Sequence, residues 1–126
     1  MEWKFRVDQP IYAQLVQQIQ LAIVSGQLPP GSRLAPVRDL ATEAGVNPNT
    51  MQRALQELER TGMVYSQRTA GRFVTEDVAV IEAVKRAHAQ ELLTDFLAGM
   101  KKIGCSREEI LALLQKEEEN NGNSGM

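Results

Sequence analysis

What most narrows the fold of this chain is the stretch from Leu34 to Arg60, LAPVRDLATEAGVNPNTMQRALQELER, two short amphipathic helices joined by a glycine-centred turn. Pro36 suits the first turn of one helix, and Val37, Leu40, Ala41 and Ala44 continue its apolar stripe to a stop at Gly45. Val46 anchors the turn. Asn47 is then a good N-cap and Pro48 a good first residue for the next helix. That helix buries Met51, Ala54, Leu55 and Leu58 and ends at Gly62. Its other face carries Asn49, Gln52, Arg53 and Gln56 at i, i+3, i+4, i+7 spacing, so polar side chains face water behind a buried helix. A helix so dressed fits a DNA major groove.

The flanking segments complete a small fold. Trp3, Phe5 and Val7 alternate with charged residues, which predicts a short half-buried strand. Asp8 and Gln9-Pro10 signal a helix start, and Ile11, Leu15, Ile19 and Ile23 give it a 3.6-residue stripe closed by Gly26. Leu28-Pro29-Pro30-Gly31 is a turn. Met63–Ser66 and Phe73–Thr75 predict two strands around a basic tip, Gln67–Arg72. Beyond Thr75, Val78, Ile81, Val84, Ala87, Leu92, Phe96 and Met100 predict a long helix, broken near Ile103-Gly104-Cys105. Ser106 with Glu109 forms a capping box ahead of Ile110, Leu111, Leu113 and Leu114.

The expected fold class is mainly α with a small β-hairpin. A winged helix-turn-helix, three helices and a hairpin wing, occupies residues 1–76. A helical dimerisation segment follows over 77–117, because two short helices with such wide apolar stripes cannot cover them alone. The acidic, polar end, 118–126, is expected to be disordered.

Charge sharpens the division. The formal net charge of −2 conceals eight Lys/Arg against six Asp/Glu in residues 1–75, and six against ten in 76–126. Six of those first eight are arginines between Arg33 and Arg72, a segment with no lysine. Arginine's planar fork suits phosphate and guanine edges. A solvated surface with chance clustering would look similar. No apolar run reaches the ~18 residues of a membrane span, and no apolar export signal opens the chain. A single cysteine, Cys105, cannot pair within the chain, so a cytoplasmic, reducing setting is expected.

The residues predict DNA contact rather than catalysis. Asn and Gln can pair bidentately with adenine and Arg with guanine, so Asn49, Gln52 and Arg53 are candidate readers, with Asn47 at the positive helix end. Arg68 and Arg72, flanking Gly71 at the wing, can lie in a narrow minor groove. Bland readings stand beside these. Arg38 could pair with Asp39 or Glu43, and Arg53 with Glu57; Arg33 and Arg60 are expected to be solvated or intramolecular, with DNA-backbone contact as the alternative. Tyr12 and Trp3 read as packing residues. There is no Gly-rich phosphate loop, no nucleophile with a base at useful spacing and no paired metal ligands, so no enzyme, cofactor or metal is expected. His88 is a poor metal ligand candidate. A winged helix can also bind protein, but an apolar third-helix face would then be expected.

Residues 8–75 resemble the DNA-binding domain of GntR-type transcriptional regulators. The matching pieces are Pro10-Ile11-Tyr12, Gly26-x-Leu28-x-Pro30-Gly31, Leu34, Val37-Arg38-x-Leu40-Ala41, Val46-Asn47-Pro48-Asn49-Thr50, Arg53-Ala54-Leu55-x-x-Leu58 and Gly71-x-Phe73-Val74. The two-helix tail resembles the YtrA subgroup, whose members dimerise through such helices. The resemblance implies DNA-backbone contact by Arg38, recognition-helix contacts by Asn49, Thr50 and Arg53, and close approach of the wing to DNA at Gly71. Two motifs depart from the family: Ala35-Pro36 stands where Pro-Ser is usual, and Thr69-Ala70-Gly71-Arg72 where the wing reads Gly-x-Gly-Thr. The expected function is a dimeric repressor of its own, transporter-containing operon. Its expected partners are an inverted-repeat operator in double-stranded DNA and a second copy of itself. No effector is identified and no membrane partner is expected.

Overall fold

The computed structural model describes residues 1–122. In order, α1 spans Ile11–Val24, α2 Val37–Ala44, α3 Pro48–Arg60, β1 Val64–Gln67, β2 Gly71–Val74, α4 Val78–Lys102 and α5 Arg107–Gly122. They fall into two compact units that divide at Arg86/Ala87. The first unit thus extends beyond residue 76, because Val80, Ile81 and Val84 at the start of α4 pack on its core. No helix among the described residues is long and apolar enough to cross a membrane.

Local sequence sets the helix ends of the first unit. Gly45 adopts φ 71° after α2, and the Val46 N–H then donates to the Ala41 carbonyl at 3.0 Å. This left-handed cap turns the chain sharply and drops Val46 against the core. Two residues later the Asn47 side chain accepts the Asn49 N–H at 2.8 Å, and Pro48 opens α3 with no amide to lose. The reversal between α2 and α3 follows from four residues, Gly45 to Pro48.

Leu15, Ile19 and Ile23 of α1, Leu40 and Ala41 of α2, and Met51, Ala54, Leu55 and Leu58 of α3 form one buried cluster with Leu34, Met63, Val64 and Val74. Each large member contributes about 1.5–3 kcal/mol by leaving water. The hairpin pairs Val64 with Val74, Tyr65 with Phe73, Ser66 with Arg72 and Gln67 with Gly71. A third extended segment joins it: Gly31 N–H donates to the Val74 carbonyl, Val74 N–H to Ser32, and Leu34 N–H to Arg72, at 2.8–2.9 Å.

The strand expected at Trp3–Val7 does not form. Trp3 and Phe5 do stack, with ring centroids 6.2 Å apart, but Val7 is fully exposed. The backbone here pairs with side chains rather than with another strand. Gln14 Oε1 accepts the Arg6 N–H at 2.7 Å, and its Nε2 donates to the Arg6 carbonyl at 2.8 Å. One turn along α1, Gln18 repeats the arrangement with Lys4, at 3.2 and 2.6 Å. Two glutamines at i, i+4 on a helix match the two-residue repeat of an extended chain.

In the second unit, the Ser106 hydroxyl accepts the Glu109 N–H and the Glu109 carboxylate accepts the Ser106 N–H, both at 3.1 Å, starting α5. α5 runs on through residues 118–122, where disorder was expected; residues 123–126 lie outside the described residues. Helix-favouring Gln115-Lys116-Glu117-Glu118-Glu119, with Lys116 three residues before Glu119, accounts for the extension.

Gln14 is only 5% exposed, and its loss removes part-buried hydrogen bonds to the backbone of Arg6 and Gln9. Gln14→Leu is expected to cost about 1–3 kcal/mol in urea unfolding. Unchanged stability would show that the N-terminal segment is not held this way.

Candidate nucleic-acid interface

Helix α3 buries one side and offers the other. Asn49, Arg53 and Gln56 are exposed, while Thr50 and Gln52 are half-buried. Asn47 is exposed too, but its carbonyl oxygen is engaged in capping, leaving its amide hydrogens outward. The Arg53 guanidinium carbon lies 4.7 Å from the centroid of the Tyr12 ring. Such a cation–π contact is worth about 0.5–1 kcal/mol at an exposed site and limits where the guanidinium can point. Tyr12, expected only to pack, thus lies under a candidate reader.

Glu57 does not pair with Arg53. Both its oxygens accept from Arg60 Nε at 3.0 Å, and Arg60 Nη2 also donates to it. The Arg60 guanidinium holds the Glu57 carboxyl below the usual carboxylate range, and Glu57 in turn raises Arg60. Arg60 is spent internally, leaving Arg53 with its charge uncompensated. Arg38, near the start of α2, is exposed and makes no ion pair among the described residues; Glu43, one partner considered for it, instead takes the Met1 amino group at 3.0 Å.

The wing departs from expectation. Arg72 does not project from the tip: its side chain is 19% exposed and its Nε donates to Glu59 Oε1 of α3 at 2.5 Å. The reason lies in the register. Arg72 opposes Ser66, both stand over α3, and the Ser66 hydroxyl donates to the same Glu59 oxygen at 2.5 Å. Arg72 Nη1 also reaches Gln52 Oε1 at 3.4 Å. Partial burial pushes the Glu59 carboxyl up, but Ser66 and Arg72 together outweigh it and hold it below its ordinary value. Arg68, in the loop between the strands, is exposed and unpaired among the described residues, so it is the cation at the tip.

Gly71 has φ +105°, and a Cβ there would sit 3.2 Å from Arg33 Nε. The room left by the missing side chain is used by Arg33, for which the sequence favours a solvated or intramolecular place over DNA contact. Arg33 comes here because its backbone bridges Phe73 of β2. A shallow cavity of about 280 Å³ lies between Arg33, Ala35, Pro36, Val37, Gly71 and Arg72. Pro36 caps α2 with no side-chain hydrogen bond, as the missing hydroxyl at that position implied.

The described residues include no cluster of three or more His, Cys, Asp or Glu able to hold a metal ion. What the fold does offer is a polar helix over an apolar core, a basic wing and an exposed arginine on the preceding helix. That is the working surface of a winged helix-turn-helix DNA-binding regulator. Residues 11–74 match the family described as bacterial regulatory proteins, gntR family. The chain is 38% identical over 111 residues to the uncharacterized HTH-type transcriptional regulator YhcF of Bacillus subtilis, covering 88% of this chain and 92% of that one. It is 40% identical over 72 residues to the HTH-type transcriptional repressor YtrA of the same organism, over 57% and 55% of the two chains. Among solved structures, a GntR family transcriptional regulator from Listeria monocytogenes superposes with a TM-score of 0.81 at 41% identity, over 89% and 98% of the chains. The DNA-binding domain of AraR in complex with operator ORX1 matches at 0.54 and 28% identity, over 60% and 96%. The chain belongs to the GntR family. It is a DNA-binding transcriptional regulator, not an enzyme.

Glu59 ties both wing strands to α3, so its charge contributes to stability. Its folded pKa is lowered, so that contribution is present above the unfolded value near 4.5 and is lost as pH falls through the folded value. Glu59→Gln is expected to cost about 1 kcal/mol at pH 7. In urea titrations the gap between parent and variant should shrink as pH falls below about 4.5. A constant gap would place the effect elsewhere than in the carboxylate charge.

Proposed function

We propose that this regulator acts as a homodimeric repressor on an inverted-repeat operator, controlling the operon that holds its own gene and a transporter. The observation that carries the dimer is the second unit. No residue between Ala87 and Asn121 is buried. Leu93, Phe96 and Leu97 of α4 face Ile110, Leu111 and Leu114 of α5 across a groove of about 430 Å³. Leu92 and Ile103 are 71% and 75% exposed. An apolar surface of this extent on two helices is the kind that a second copy covers in a two-fold dimer.

Repression is supported by the likeness to YtrA, whose name describes a transcriptional repressor. The family resemblance supports control of a neighbouring transporter. A two-fold dimer presents two α3 helices, so its half-sites should be inverted and centred ~10 bp or a multiple of it apart. Arg38, Asn47, Asn49, Thr50, Gln52, Arg53 and Arg68 would face the DNA, joined by Arg33 beside Gly71. Footprinting upstream of the chain's own gene tests the operator directly, and protection of a single asymmetric site would count against it.

Sedimentation of the full chain at micromolar concentration should give a dimer. Phe96→Asp with Leu111→Asp should give a folded monomer, by charging the groove from both helices. A monomeric parent would refute the dimer.

Arg53→Ala should weaken operator binding by about 1–3 kcal/mol and relax one base preference. Arg68→Ala should weaken operator and scrambled DNA alike and reduce the slope of log affinity against log salt by about one unit per phosphate lost. Equal loss on both DNAs would remove Arg53 as a base reader, and unchanged binding of both would remove α3 as the reader.

A further inference from the structure

The contact between the wing and Gln52 has a chemical consequence for base choice, one that rests on α3 being the reader. Arg72 is fixed rather than loose: its side chain is 19% exposed and paired to Glu59 at 2.5 Å, and Glu59 is itself held by Ser66. From that position Nη1 lies 3.4 Å from the Gln52 side chain. A guanidinium has donors only, so the Gln52 atom facing it must be the carbonyl oxygen. The amide nitrogen of Gln52, with two hydrogens, therefore points the other way.

Bidentate recognition of adenine needs the opposite freedom. The glutamine oxygen must accept from adenine N6 while its nitrogen donates to N7. Guanine offers two adjacent acceptors, N7 and O6, and no donor on that edge. We propose that Arg72 is a positioning residue for base selection: by holding the Gln52 oxygen it leaves that side chain a double donor, which sets its operator contact to guanine rather than adenine. Arg72 then shapes the readout without touching a base.

Selection from random double-stranded DNA with the full-length protein separates this from a merely structural role. The parent should enrich guanine at one position of each half-site by about tenfold over adenine. Gln52→Ala should lose that preference alone. Arg72→Met, which keeps the alkyl chain but frees the Gln52 oxygen, should shift the same position toward adenine. Arg72→Thr, a good strand former, replaces it if thermal melting shows Arg72→Met unfolded. An Arg72 variant that binds more weakly but selects the same bases overturns the proposal. So does Gln52→Ala with an unchanged motif. A parent that enriches no motif overturns base reading by α3 itself, and this inference with it.

Discussion

The burial of one side of α3 against α1 governs everything that the other side can do. Met51, Ala54, Leu55 and Leu58 are each no more than 1% exposed, and Leu15, Ile19 and Ile23 meet them from α1. A side chain at each of those α3 positions fixes the helix's rotation about its axis. With the rotation fixed, residues between the buried ones must point outward, and Asn49, Arg53 and Gln56 do. Interiors packed this closely resist turning, because a rotated helix would bury amides and guanidiniums without partners.

Rotation alone does not set the pose of long polar side chains, and here neighbours do it. Tyr12 supports the Arg53 guanidinium from α1, and the Arg72–Glu59–Ser66 cluster ties the wing to the last turns of α3. The same device recurs at the N-terminus, where Gln14 and Gln18 take the place of a strand. In each case a polar side chain on a helix adds a directional tie to a segment that also packs apolar residues on the core.

Periodicity made the helices and the hairpin legible, because the α3 stripe and the turn at Gly45–Pro48 are local properties. The asparagine cap and the Ser106–Glu109 box are also local, and both form. Contacts between distant residues were not legible. Alternation at Trp3–Val7 signals extended backbone but is silent on its partner, which is a pair of glutamines. Arg72 looks like a free tip cation because the hairpin itself, Val64 to Val74, holds no acidic residue. Glu59 is thirteen residues away and meets it only through the strand register. The place of Arg33 is hidden for the same reason, since only the folded bridge to Phe73 brings it to Gly71.

That difference changes how the basic charge should be counted. Six arginines lie between Arg33 and Arg72, and the sequence presents them as equivalent. The fold divides them. Arg60 and Arg72 are neutralised by Glu57 and Glu59, two acidic residues of α3 itself. Arg33, Arg38, Arg53 and Arg68 are exposed and without an ion pair among the described residues. A paired arginine brings little net attraction for phosphate, since an acidic neighbour must first be displaced. The four others sit on the strand-like segment before α2, on α2, on α3 and at the wing tip, one on each element that a groove-docked winged helix sets near DNA. A chain with a net charge of −2 can therefore turn a positive surface to DNA, because seven of its sixteen acidic residues lie in the second unit and four more, Asp8, Glu43, Glu57 and Glu59, are held in ion pairs.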